Sequence, residues 1–222
     1  MMSLSQYSQN QVATAKLFTN MTKKFEIIKE KTAYDGFFKL KEFTVKHTLY
    51  KGGWSNTITR ELFHRGNCVA VLLYDPNRDE VVIIEQFRIG ALQLPDPEQA
   101  WLLEVVAGAI EEGETTEEVA YRESIEEAGC EIQELIKIND FFTSPGGTSE
   151  LLTLYCGKVD TTHVGGVHGL EHEDEDISVQ AMKFDEVYQL LLDGKILSAI
   201  PIIAIQWLKI NRDELIKSWP ST

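Results

Sequence analysis

The sequence predicts an α/β fold built on a mixed β-sheet, with an antiparallel β-meander at its N-terminal side. Three patterns predict it. Apolar residues nearly alternate over 23–65, unbroken apolar runs bounded by turn residues follow, and helical spacing appears at three later places. Residues 1–22 are polar and aperiodic, so a poorly ordered arm is expected there. Residues 23–65 read as a three-stranded meander: FEIIKEK, then FFKLKEFTVKHTLY, then NTITRELFHR after the Gly52-Gly53 turn. The remainder, 66–222, reads as the main domain. It opens with VAVLLYDPNRDEVVIIEQF, two apolar strands joined by an Asp-Pro-Asn-Arg-Asp turn. Further strand-like segments are WLLEVVAGAI, FF at 141–142, LLTLYCGKV and ISVQAMKF, and helical patterns close the chain at roughly 185–193 and 198–217.

Between Gly108 and Cys130 the chain reads GAIEEGETTEEVAYRESIEEAGC, in which Gly108, Glu114, Arg122, Glu123, Glu126, Glu127 and Gly129 keep the spacing G-x5-E-x7-R-E-x2-E-E-x-G. At average residue usage such a set arises by chance roughly once in 10^9 starting positions. Thr115 and Glu118 form a capping-box signature, and Gly129 is a usual residue past a helix end, so a helix is expected between them. On it Glu123, Glu126 and Glu127 share one face, while Tyr121, Ile125 and Ala128 are expected to point toward a core. Like charges at this spacing destabilise a bare helix by about 0.2–0.5 kcal/mol per pair, and clustered carboxylates are what hard divalent cations bind. Arg122, between Glu118 and Glu126, is placed to hold a carboxylate. Ser124 and Cys130 are small enough to be buried without disturbing that face.

Composition narrows the function classes. A net charge of −14 over 222 residues argues against nucleic acid or an anionic membrane as partner. Cys68, Cys130 and Cys156 are odd in number and far apart, as in reduced buried thiols of a cytoplasmic protein. No apolar run approaches the roughly 20 residues of a membrane span.

Outside the acidic helix, SPGGTSE at 144–150 offers backbone amides that can approach a phosphate or ribose, and GLEHEDED at 169–176 can supply a base or a further ligand. Together with EQFRIG and WLLEVVAGAIEEGE these segments resemble the Nudix hydrolases, and among them the bacterial ADP-ribose pyrophosphatases, over about residues 25–210. The resemblance implies an α/β/α sandwich and hydrolysis of ADP-ribose to AMP and ribose 5-phosphate with Mg²⁺, for which Mn²⁺ can substitute. It implies that the Ala107 carbonyl, Glu123, Glu126, Glu127 and Glu175 serve the metal, and that Glu173 is the catalytic base. Arg88, Ala109, Ser144, Pro145, Gly146 and Glu150 then line the substrate. So do Phe37, Phe38, Arg60, Glu61 and Arg65, in a meander exchanged across a homodimer. Phe37 or Phe38 would offer a flat surface to the purine, and strand alternation would send only one of them inward. Two alternatives stay open at this stage: another nucleoside diphosphate sugar or dinucleotide as substrate, and a non-catalytic ligand sensor. The lack of an S-Q-P-W-x-F-P-x-S segment counts against NADH.

Overall fold

The structure, a computed structural model, describes residues 22–219. The expected arm, apart from Thr22, lies outside the described residues. The chain divides between His64 and Arg65 into two compact units.

The first unit is the meander. Strands β1 (Phe25–Asp35), β2 (Lys39–His47) and β3 (Ile58–His64) pair antiparallel in that order, with Phe25 opposite His47 and Phe43 opposite Arg60. Phe37 and Phe38 do not sit in a strand: residues 36–38 form the bend between β1 and β2. Alternation therefore does not decide their orientation, which corrects the strand-based expectation. Phe37 is 95% exposed, and Phe38 lies edge-on to it and against Phe63. All of β1 is exposed, including Phe25, Ile27, Ile28 and Tyr34.

The second unit carries an eight-stranded mixed sheet among its described residues. Strands β4 (Cys68–Asp75) and β5 (Glu80–Phe87) are the predicted apolar pair, joined where the Asp75 carboxylate accepts from the Asn77 and Arg78 amides. They pair only at their turn end, Tyr74 with Val81 and Asp75 with Glu80. Beyond it they separate, and the next segment fills the fork: β6 (Trp101–Glu104) pairs with β5 and β7 (Val106–Ala109) with β4. Two strands were therefore made from the one segment WLLEVVAGAI.

Strand β9 (Leu151–Lys158) runs parallel to β4 and antiparallel to β8 (Glu134–Phe142). On the other side β11 (Ile177–Lys183) pairs with β5, and β10 (Gly165–His168) pairs with β11. The predicted FF is only the end of β8, an edge strand with a register shift between Lys137 and Asn139. Helix α1 (Thr116–Ala128) packs on one face through Val119, Ala120 and Ala128, against Val69, Val71, Val82 and Ile84. Helices α2 (Phe184–Leu192) and α3 (Ala199–Ser218) close the chain where helical spacing placed them. Among the described residues no helix is long and apolar enough to cross a membrane.

Candidate metal and diphosphate site

The site grows from the fork in the sheet. Strand β7 runs beside β4 with Gly108 opposite Val69 and Ala107 opposite Ala70, then the chain turns and returns over β7 as α1. The helix starts on a complete capping box: Thr115 Oγ1 accepts from the Glu118 amide, and the Glu118 carboxylate accepts from the Thr115 amide. It stops at Gly129, whose φ of 62° is the left-handed conformation that favours glycine.

The inward face of α1 differs from the expected one. Tyr121 is 42% and Ile125 55% exposed, while Glu127 is 2% exposed and faces the sheet. Ala128, Ser124 and Cys130 are buried as expected. The acidic side of the helix points inward because β7 receives it: the Ala107 amide donates to Glu127 Oε2 at 2.8 Å. Gly108 makes the approach possible, since a Cβ there would lie 1.7 Å from Glu123 Oε1. Strand β7 thus bonds Glu127 through its amide and leaves room for Glu123 at Gly108.

Burial sets their electrostatics. It pushes the Glu127 carboxyl up to about 8, with Glu123 and Glu175 adding to the rise and the Ala107 amide and Arg88 opposing it. Burial likewise raises Glu123, which Arg122 opposes while Glu126 and Glu175 reinforce it. Carboxyl groups destabilised as anions in this way gain from a divalent cation, which restores the charge balance. Their hard oxygens are suitable donors for a divalent cation such as Mg²⁺ or Mn²⁺.

Arg122 is the hub of the helix carboxylates. Its guanidinium reaches Glu123 at 2.7 Å, Glu126 at 3.0 Å, the Ala109 carbonyl at 3.3 Å, and both oxygens of Glu114 at 2.8 and 3.0 Å. Glu118 is not one of its listeners, because the helix cap occupies it; Glu114 takes that place. This fork explains why the motif spaces Glu114 eight residues before Arg122. Among the described residues no three acidic or histidine side chains already converge on one point, and one nitrogen of Arg122 bridges Glu123 and Glu126.

The acidic loop docks at the end of α1. The Gly169 amide donates to the Glu126 carbonyl at 3.2 Å, and a Cβ at Gly129 would strike the His168 ring at 2.7 Å. Within the loop, Glu175 Oε2 accepts from the Leu170 amide, and its charge is felt by both Glu123 and Glu127. Glu173 ends a short 3-10 turn with a half-exposed side chain, 3.7 Å from His172.

The remaining predicted residues fall into four groups. Arg88 follows β5 and pairs with Glu104 at 2.7 Å, near enough for its charge to act on Glu127. Glu104 was missed by sequence reasoning, although a lone charge inside the apolar WLLEVVAGAI is the signal that finds it. Ser144, Pro145 and Gly146 lie exposed in a turn closed by the Gly147 and Thr148 amides on the Ser144 carbonyl. Glu150 is buried and engaged: Arg65 Nε lies at 3.0 Å, Cys68 Sγ donates at 3.2 Å and Thr143 Oγ1 at 2.7 Å. Phe37, Phe38, Arg60 and Glu61 belong to the meander. Cys68, Cys130 and Cys156 are free and buried, as expected.

Comparison with known proteins agrees with this geometry. The NUDIX domain model matches residues 64–201. The ADP-ribose pyrophosphatase of Haemophilus influenzae is 45% identical over 195 residues, covering 87% of this chain and 90% of that one. The GDP-mannose pyrophosphatase of Enterobacter sp. (strain 638) is 32% identical over 192 residues, covering 86% and 98%. A crystal structure of an ADP compounds hydrolase superposes with a TM-score of 0.62 at 18% identity, over 86% of this chain and 97% of that one.

Proposed function

The chain belongs to the Nudix domain family and is a hydrolase of that family, and from this premise we propose that it cleaves the diphosphate of ADP-ribose to AMP and ribose 5-phosphate. The observation that carries the reading is the pair Glu123 and Glu127, held inward by β7 on a chain 45% identical to an ADP-ribose pyrophosphatase over 87% of its length. The metal is Mg²⁺, with Mn²⁺ a substitute. When bound, it supplies neutralisation of the diphosphate charge and polarisation of the P–O bonds.

In this proposal the Ala107 carbonyl, Glu123, Glu127 and Glu175 hold the metal, with Glu126 beside them. Arg122 keeps Glu123 and Glu126 oriented from behind. Arg88 and the turn at 144–146 meet the substrate, with Ala109 at the end of β7. Glu173 takes the proton of the attacking water, a role its half-exposed carboxylate on a loop suits. Arg65 and Glu150, tied to each other beside Cys68, line the substrate as a pair. The meander supplies Phe37, Phe38, Arg60 and Glu61 to the adenosine end in a homodimer, a role supported by the exposed apolar residues of β1. The three free, buried thiols suit a cytoplasmic enzyme.

A second substrate reading, another nucleoside diphosphate sugar, is favoured by the 32% identity to a GDP-mannose pyrophosphatase. A panel of ADP-ribose, GDP-mannose and dinucleotides, assayed with and without Mg²⁺, separates the two. The proposal expects the highest kcat/KM for ADP-ribose and none without metal; a higher value for GDP-mannose would overturn it.

A further inference from the structure

Strand β5 ends in a polar pair inside an otherwise apolar run, Glu85-Gln86, just before Phe87 and Arg88. Gln86 is 7% exposed, and its Nε2 lacks a hydrogen-bond partner. A buried amide donor left without an acceptor destabilises a fold, which retains one where something else compensates it.

Register shows which face the amide occupies. Ile84 packs in the core under α1, and Gln86, two residues on, projects from the same side of the sheet. Across the ladder Ile84 faces Glu104, and Gln86 faces Leu102. Arg88 follows two residues later and holds Glu104. Leu102 and Arg88 in turn line a cavity of about 300 Å³. Gln86 therefore lies between Arg88, which acts electrostatically on Glu127, and the core beneath the helix that bears Glu123 and Glu127.

We propose that the Gln86 side-chain amide is a substrate-binding group, donating from Nε2 to an oxygen of the bound diphosphate. The chemistry of the surroundings selects this acceptor. Glu104 is satisfied by Arg88, and Glu127 by the Ala107 amide, so the carboxylates nearby already have donors. An uncharged amide adds a hydrogen bond to an anionic oxygen without altering the charges of Arg88, Glu123 and Glu175 that act on Glu127. The inference rests on the diphosphate-hydrolase reading above, and on no particular nucleoside.

Gln86→Leu, and Gln86→Met as a second apolar replacement of similar size, test it by two readouts on the full chain. Both variants should keep or raise the Tm of the free protein, because each removes an unmatched buried donor. Their kcat/KM for ADP-ribose should fall by about 10- to 100-fold, the scale of one hydrogen bond to a charged oxygen. A kcat/KM within threefold of wild type would overturn the proposal. So would a fall in Tm accompanying the loss in both variants, which marks an amide that serves the fold. If the wild type ignores ADP-ribose but cleaves another nucleoside diphosphate compound, the nucleoside assignment fails and the same comparison on that compound decides Gln86. A wild type inert toward all of them overturns both.

Discussion

Glu127 is the residue on which the site turns, because its environment opposes its charge. It is buried on the inward side of α1 and pushed up to about 8 by that burial, yet it keeps a backbone donor from Ala107. Replacing it by Gln preserves the acceptor for that amide and removes the charge. Glu127→Gln should therefore leave Tm unchanged or higher, while Mg²⁺-dependent turnover falls at least about 10²-fold, the upper end of what even an outer partner of a metal costs. Near-normal activity at saturating Mg²⁺, read in a steady-state assay, would remove Glu127 from the metal set. The loop carboxylates separate by the same logic. Glu173 is half-exposed on a 3-10 turn, whereas Glu175 is tied to the Leu170 amide and charged against Glu123 and Glu127. Glu173→Gln should lower kcat by roughly 10²–10⁴ with KM little changed. Glu175→Gln should raise the Mg²⁺ concentration needed and recover when more is added. A Glu173→Gln kcat within about threefold of wild type, in the same titration, would exclude it as the base.

At the scale of elements, the clasp of β7 on α1 depends on a missing side chain. A methyl group at Gly108 would overlap the Glu123 carboxylate, so Gly108→Ala should displace Glu123 and lower kcat by about 10²-fold, as misplacement by an ångström does. Activity unchanged in that variant would show that Glu123 has room to move. This clasp also shows what the sequence could reveal. The seven spaced residues, the capping box and the carboxylate side of α1 were readable, because spacing along a helix fixes angle and local caps are written in neighbouring residues. The direction of that side was not. Periodicity cannot distinguish an acidic face that meets solvent from one received by backbone amides, and so Tyr121 and Ile125 were assigned to a core they do not enter. Long-range partners were hidden for a similar reason. Arg88 with Glu104 is set by strand register in the fork, and Glu150 with Arg65 by the parallel pairing of β4 with β9, not by local sequence. Of the edge strands, β8 was read only at its Phe141-Phe142 end because the rest is half polar with a shifted register, and β10 was missed because it is four residues long and half glycine.

For the whole molecule, the meander and the hydrolase unit raise the question of assembly. Strand β1 presents Phe25, Ile27, Ile28 and Tyr34 to solvent, with Phe37 beyond them, an apolar surface of the kind that marks association. The proposed homodimer predicts a sedimentation mass near twice the 25.2 kDa of the chain. A fully active species at the monomer mass would refute a site shared between subunits. Net charge fits the same picture of a small polyanionic substrate: at −14 the molecule repels anions in bulk, so arginines and a metal must create the local attraction. The most direct measurement of the central claim is therefore the identity of the products. Wild-type protein incubated with ADP-ribose and Mg²⁺, and resolved by chromatography, should yield AMP and ribose 5-phosphate in equal amounts, and nothing when the metal is chelated. Intact ADP-ribose under conditions where another nucleoside diphosphate compound is cleaved, or products other than that pair, would contradict it.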